Sequence, residues 1–391
     1  MTIDPADRVE AVGPSGIRRF FEIAEERDDV VSLGVGEPDF ATPWAARDAA
    51  IHSLEQGRTS YTANRGTRPL REAISGYVTR FDLAYDPDEE ILVTAGASEA
   101  VDLAIRAIVD PGDVVAIAQP AYISYGPCVR FAGGEVRRVP TAGDDFRLTV
   151  DALETAGAAD ADVLVLCYPN NPTGATMPAD ALEPIAAFAR EHDLVVLADE
   201  IYAELTYEAE HVSIASFDGM ADRTIVVNGF SKAFAMTGFR LGYALGPPEA
   251  IGAMNRIHQY TMLSAPTTAQ YAAVEALDSC ANEVETMVAS YDRRRRFLTS
   301  RLEDLGMACP DAGGAFYLFP AVPSGWDETE FVETLLREQG VAVVPGSVFG
   351  SGGDGHVRLS YATGLAELRE ATARLETFIS TASPVGHDQA E

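Results

Sequence analysis

Seven short apolar runs, separated by segments of helical periodicity, set the tightest limit on how this chain can fold. They are Ile91–Thr94, Val114–Ala118, Val136–Val139, Val163–Cys167, Leu194–Ala198, Thr224–Asn228 and Leu241–Leu245. Runs of Val, Ile and Leu without polar alternation predict strands covered on both faces. The covers are legible between them. Glu99–Val109 spaces Val101, Ala104, Ile105 and Ile108 as one helical stripe, and Leu182–His192 does the same with Leu182, Ile185, Ala186 and Ala189. Pro184 is expected in the first turn of the second helix, where its missing N–H costs little. The alternation predicts an α/β fold: a mostly parallel seven-stranded sheet with helices on both faces.

A chain of 391 residues exceeds what one core usually serves, and the pattern changes near Val284. A long charged helix follows, in which Arg293–Arg296 reads as a solvated face. Then come Gly313–Phe319, a helical Phe331–Gly340, an extended Val341–Val344 and a last helix over Leu365–Ser380. The expected division is a large domain over 46–283 and a smaller α+β domain over 284–383. The N-terminal segment 1–45 joins the smaller domain, and a polar tail over 384–391 is expected to be disordered.

Charge excludes several functions. Sixty acidic residues against 29 basic ones give a net charge of −31, spread along the chain. Such a surface repels phosphate backbones and anionic lipid, which argues against nucleic acid and membrane as partners. No apolar run is long enough to span a bilayer, and the N-terminus lacks the apolar core of a secretory signal. The composition resembles that of proteins from salt-loving archaea and predicts a cytoplasmic protein working at high salt, less stable when salt is removed. The four cysteines, Cys128, Cys167, Cys280 and Cys309, are isolated, and the six histidines show no ligand spacing. Neither a disulfide framework nor a metal site is indicated.

One residue breaks the compositional rule. Lys232 is the only lysine; the other 28 basic residues are arginines. Arginine covers most surface duties of lysine, but its guanidinium stays protonated and cannot form a Schiff base. A retained primary amine after a buried strand therefore points to covalent chemistry.

Around it lie seven motifs in order: GEPDF (36–40), SYTANRGTRPLREA (60–73), GASEA (96–100), YPNNPTG (168–174), ADEIYAEL (198–205), GFSKAFAMTGFRLGY (229–243) and VRLSYA (357–362). By these the chain resembles the class I, fold type I pyridoxal-phosphate aminotransferases over nearly its whole length. The resemblance implies that fold, pyridoxal 5′-phosphate as cofactor, and ping-pong exchange between an L-amino acid and a 2-oxo acid. It implies that Lys232 holds the cofactor and then acts as base at the substrate Cα. Gly96, Ala97 and Ser98, between a strand and a helix, would offer backbone donors and a hydroxyl to the phosphate, with Ser231 and Arg240. Tyr61 would reach the phosphate of the partner subunit, which implies a homodimer. Asp199 would keep the ring nitrogen protonated, Asn171 and Tyr202 would hydrogen-bond the ring oxygen, and Tyr122 would stack on the ring. Arg358 would bind the substrate carboxylate as a planar, bidentate cation, helped by Asn171 and by the backbone of Gly36. Asn171–Pro172 and Gln119–Pro120 are expected to be cis, and Val12–Phe21 to lie over the pocket.

The donor stays open. Aspartate would favour a second cation. However, no Arg or Lys falls between Arg256 and Arg293, and Ser98 stands where one subgroup has lysine. Aspartate and an aromatic or uncharged donor both remain compatible, with 2-oxoglutarate as the usual partner. The rival functions are β-elimination on sulfur amino acids, ring closure to a cyclopropane, and a ligand-sensing domain of a transcription regulator. The last normally carries a DNA-binding domain ahead of the matching region, which here begins by about Gly13.

Overall fold

A computed structural model of the protein describes residues 4–14, 16 and 29–382. The expected disordered tail and most of Val12–Phe21 lie outside the described residues. A seven-stranded sheet forms the centre: β2 (Ile91–Thr94), β3 (Val114–Gln119), β4 (Glu135–Pro140), β5 (Val163–Cys167), β6 (Val195–Asp199), β7 (Thr224–Gly229) and β8 (Gly242–Leu245). Their order is β2-β8-β7-β6-β5-β3-β4, parallel throughout except at β8, which runs antiparallel to both neighbours. All seven runs read from the sequence are strands.

Side-chain alternation along these strands builds two cores. Ala116, Ala118, Leu164, Leu166, Val196 and Ala198 face Leu182, Ile185 and Ala189 of the helix Ala179–Glu191. Val115, Ile117, Val163, Val165, Leu197 and Val227 face Val101, Ala104 and Ile105 of the helix Ala97–Ile108. Each buried Val, Leu or Ile among them contributes about 1.5–3 kcal/mol, which is why both faces must be apolar.

Three local expectations need correction. Val136–Val139 lies on the edge strand β4, where only Val139 is buried and Arg137 and Arg138 find solvent. The helix carrying Pro184 starts at Ala179, so the proline sits inside it. Pro184 and Asp180, whose carbonyl loses its helical donor, are both exposed residues, so the proline stands on the solvent side of the helix. Arg293–Arg296 is not one solvated face, because Arg294 and Arg295 are buried in the helix Ala281–Asp304.

The remaining strands are short. β1 (Val31–Ser32) pairs in parallel with β10 (Val341–Ala342). β11 (Val344–Pro345), β12 (Val357–Ser360) and β9 (Tyr317–Leu318) form an antiparallel sheet. The Ser360 amide donates to Leu33 O at 2.6 Å, tying the segment after β1 to β12. The helices Glu328–Gln339 and Leu365–Thr381 pack against each other and against these strands. No helix among the described residues is long and apolar enough to cross a membrane.

Candidate active site

The carboxyl ends of β3, β5, β6 and β7 converge on one edge of the sheet, the usual place for a site in this architecture. Asp199 ends β6, and the segments after the other three carry Tyr122, Asn171 and Ser231–Lys232. Together with Gly36, Ala97, Ser98, Tyr202, Arg240 and Arg358 they line one cavity of about 590 Å³. Two predicted residues do not line it. Gly96 caps the helix behind it, and Tyr61 is 82% exposed on the outer surface.

At one end is an anion cradle. Gly96 has φ +86°, a conformation that favours glycine, and a Cβ there would lie 2.8 Å from Arg240 Nη2. The helix beginning at Ala97 therefore opens with no side chain on its N-cap. The amides of Ala97 and Ser98 head the helix with no acceptor inside it. Arg240, itself left-handed at φ +53°, is steadied by Nη1 donating to Thr237 O at 3.0 Å.

In the middle, Asp199 ends β6 and is buried. Tyr125 donates its hydroxyl to Asp199 Oδ2 at 2.7 Å, and the Ile201 amide donates to Oδ1 at 3.2 Å. Burial dominates and pushes the carboxyl up to about 6, the two hydrogen bonds pulling the other way. Lys232 Nζ donates to Gly36 O at 2.6 Å and keeps part of its surface open to the cavity. Burial lowers its ammonium to about 8; Glu37 opposes that shift, and Arg358 and Arg240 add to it.

At the far end, Arg358 is 3% exposed. Its Nη1 donates to Asn171 Oδ1 at 2.8 Å and its Nη2 to Gly34 O at 2.6 Å. Its Nε is buried with no partner among the described residues. The guanidinium lies between the rings of Tyr317 and Phe349, 4.6 and 4.8 Å from their centroids. Tyr317 also shares a hydrogen bond with Tyr202, hydroxyl to hydroxyl at 2.9 Å.

Three participants were missed by sequence reasoning: Tyr125, Tyr317 and the Gly34 carbonyl. Each acts across a long stretch of chain, and only GEPDF and the GGAFYLF run hinted at their neighbourhoods. Of the two expected cis bonds, Gln119–Pro120 is cis and Asn171–Pro172 is not; the second cis bond is Tyr168–Pro169. Residues 170–174 instead close a turn, with Gly174 N donating to Asn170 O at 2.9 Å and Thr173 N to Asn170 Oδ1 at 3.1 Å. A trans Pro172 is compatible with that turn.

The sequence matches the family described as aminotransferase class I and II over residues 28–375. It is 50% identical to the Bacillus subtilis protein YugH, itself named only provisionally as an aminotransferase, over 97% of this chain and 99% of that one. It is 44% identical to the aspartate aminotransferase of Pyrococcus abyssi, over 95% of this chain and 97% of that one. The crystal structure of an aromatic aminotransferase from Pyrococcus horikoshii superimposes with a TM-score of 0.88 at 43% identity, covering 92% of this chain and 98% of that one.

Proposed function

The chain belongs to the class I and II aminotransferases, and on that premise we propose the residue roles and substrate range that follow. The family uses pyridoxal phosphate, which when bound supplies an electron sink for breaking bonds at the substrate Cα. The described residues fit that group. The cradle of Ala97, Ser98, Ser231 and Arg240 has the donors a phosphate needs. Asp199 is a buried acid able to hold a ring-nitrogen proton, and Lys232 is an amine depressed toward neutrality. Asn171 and Tyr202 supply hydrogen bonds for the ring oxygen and Tyr122 a stacking face.

Arg358 binds the α-carboxylate of the amino acid. Its plane is already fixed by Asn171, Gly34 and two rings, so little freedom is lost on binding. Lys232, with its ammonium lowered to about 8, is part-neutral near pH 7 and takes the proton from the substrate Cα. The acceptor is a 2-oxo acid such as 2-oxoglutarate. For the donor, an aromatic or uncharged amino acid is supported by the described lining, whose cations Lys232, Arg240 and Arg358 all have other work. Aspartate is supported by the likeness to an aspartate aminotransferase.

A homodimer is supported by Tyr61 and Tyr260, 82% and 87% exposed. Asn64 and Ser60, beside Tyr61, hydrogen-bond Leu263 and Thr267, so the two tyrosines belong to one outer face. The assignment of the N-terminal segment to the smaller domain is supported by the pairing of β1 with β10. A salt-loving organism's cytoplasm is supported by the net charge of −31.

The observation that carries the reading is the meeting of the sole lysine, a buried carboxyl and a guanidinium with an unpaired N–H in one cavity. Borohydride reduction in the presence of pyridoxal phosphate should label the peptide containing Lys232 and no other. A panel of amino acids, each scored by loss of the bound cofactor's yellow colour in molar salt, separates acidic from aromatic donors. Release of pyruvate and ammonia in that panel would instead indicate elimination.

A further inference from the structure

Behind the anion cradle lies a Glu99–His258 hydrogen bond that the reaction chemistry leaves unused. Glu99 is the third residue of the helix Ala97–Ile108, in the turn whose amides face the cavity, but unlike Ala97 and Ser98 it does not line the cavity. Its Oε2 accepts the Ala95 amide, and its Oε1 meets His258 Nδ1 at 2.8 Å. His258 is fully buried in the helix Pro248–Thr261, which packs along the first helix. Its Nε2 has no partner among the described residues. A histidine with an orphaned ring nitrogen in a dry interior is costly, so its contact with Glu99 has something to offset.

The geometry points to a division of labour at this helix end. In a capping box the acid at this position accepts the N-cap amide, and the N-cap side chain accepts an amide of the first turn. Here Glu99 reaches one residue further back, to the Ala95 amide, and the N-cap Gly96 has no side chain. Glu99 therefore fixes the turn from behind without taking an amide of the helix, and among the described residues no side chain caps Ala97 and Ser98. A carboxylate so near a phosphate would repel it, and His258 draws that charge to the far side of the helix. We propose that Glu99 and His258 are a positioning pair that holds the 95–98 turn open toward the cofactor phosphate. The proposal rests on the reading that Ala97, Ser98, Ser231 and Arg240 take that phosphate.

The pair makes no contact with the rest of the cofactor, so its removal should be felt only at the phosphate. The test compares equilibrium binding of pyridoxal phosphate and of unphosphorylated pyridoxal to the resolved full-length protein in molar salt, read by absorbance. Glu99→Ala should weaken pyridoxal phosphate about tenfold more than pyridoxal, equivalent to about 1.4 kcal/mol. Glu99→Gln, which still accepts the Ala95 amide, should stay close to wild type. Arg240→Ala is the control. If it too shows no preference, the phosphate reading fails rather than the pair. If Arg240→Ala is selective while Glu99→Ala weakens both ligands equally, or neither, the pair is only a tie between two helices and the proposal is overturned. Should Glu99→Ala not fold, the same ratio on His258→Gln decides: selective loss supports the proposal and its absence overturns it.

Discussion

Asp199 is asked to ionise where ionisation is expensive, since its surroundings offer one hydroxyl and one amide. Its folded pKa of about 6 lies above its ordinary 3.8. The folded state thus binds the extra proton, and stability is lost as pH rises through about 6. Asn at this position could keep both hydrogen bonds, with its oxygen to Ile201 N and its amide to the Tyr125 hydroxyl. Asp199→Asn should therefore stabilise the cofactor-free protein by up to about 3 kcal/mol above pH 6 and by nothing below about pH 3, where both states are protonated. Activity should fall by about a hundredfold or more. Paired melting curves across pH read the first, and steady-state rates the second. Lys232 can be titrated without interference from another lysine, provided the label is read on the peptide that contains it, because the α-amino group titrates in the same range. Its modification rate with an amine reagent in the cofactor-free protein should be half-maximal near pH 8, where a solvent-exposed lysine would wait until about 10.4. These two residues were legible because their chemistry is rare and their place, just after a buried strand, is stereotyped. Tyr125 and Tyr317 were not, since an ordinary buried tyrosine has the same local pattern, and only the fold brings Tyr125 to Asp199.

The helix Ala281–Asp304 shows how an element can hide its role. Four consecutive residues sweep about 300° of a helix, so Arg293–Arg296 could never share one face. Arg294 turns inward, donates to Asp39 Oδ1 at 2.8 Å and lies 5.1 Å from the centroid of Phe40. Arg295 meets Glu208 and Asp292, both at distances under 3 Å. Sequence periodicity marks buried apolar residues and is blind to buried charges whose partners lie far along the chain. The consequence reaches the site, because Asp39 and Phe40 end the loop whose Gly34 and Gly36 carbonyls hold Arg358 and Lys232. Arg294→Ala should cost about 1–3 kcal/mol of stability. If Arg358 binds the donor's carboxylate as proposed, the substitution should also raise KM for the amino donor several-fold while kcat falls less, because Arg358 loosens with the loop that holds it. Arg294→Lys restores charge without the planar stack and should fall between the two. A variant in which kcat falls as far as KM rises, or KM does not move, would detach this helix from the site.

At the scale of the molecule, the sheet was legible because parallel strands buried on both faces leave continuous apolar runs; the edge strand β4, counted with them, holds Arg137 and Arg138 between its two valines and is covered on one face only. The charge is a property of the whole chain. Sixty acids against 29 bases self-repel in the compact state more than in an expanded one. The Debye length falls from about 10 Å at 0.1 M salt to about 3 Å at 1 M. Screening should therefore raise the melting temperature most steeply below 1 M, whereas salting-out of apolar surface continues beyond it. The two effects separate by mutation. Asp48, Glu135, Glu154 and Glu285 are exposed, and replacing them with Asn or Gln takes the net charge from −31 to −27. That variant should melt higher than wild type at 0.1 M KCl and converge with it above 1 M, since only the repulsive part has been reduced. If the difference between the two proteins is the same at both salt concentrations, repulsion is not what low salt exposes. The acidic surface would then act through its hydration instead.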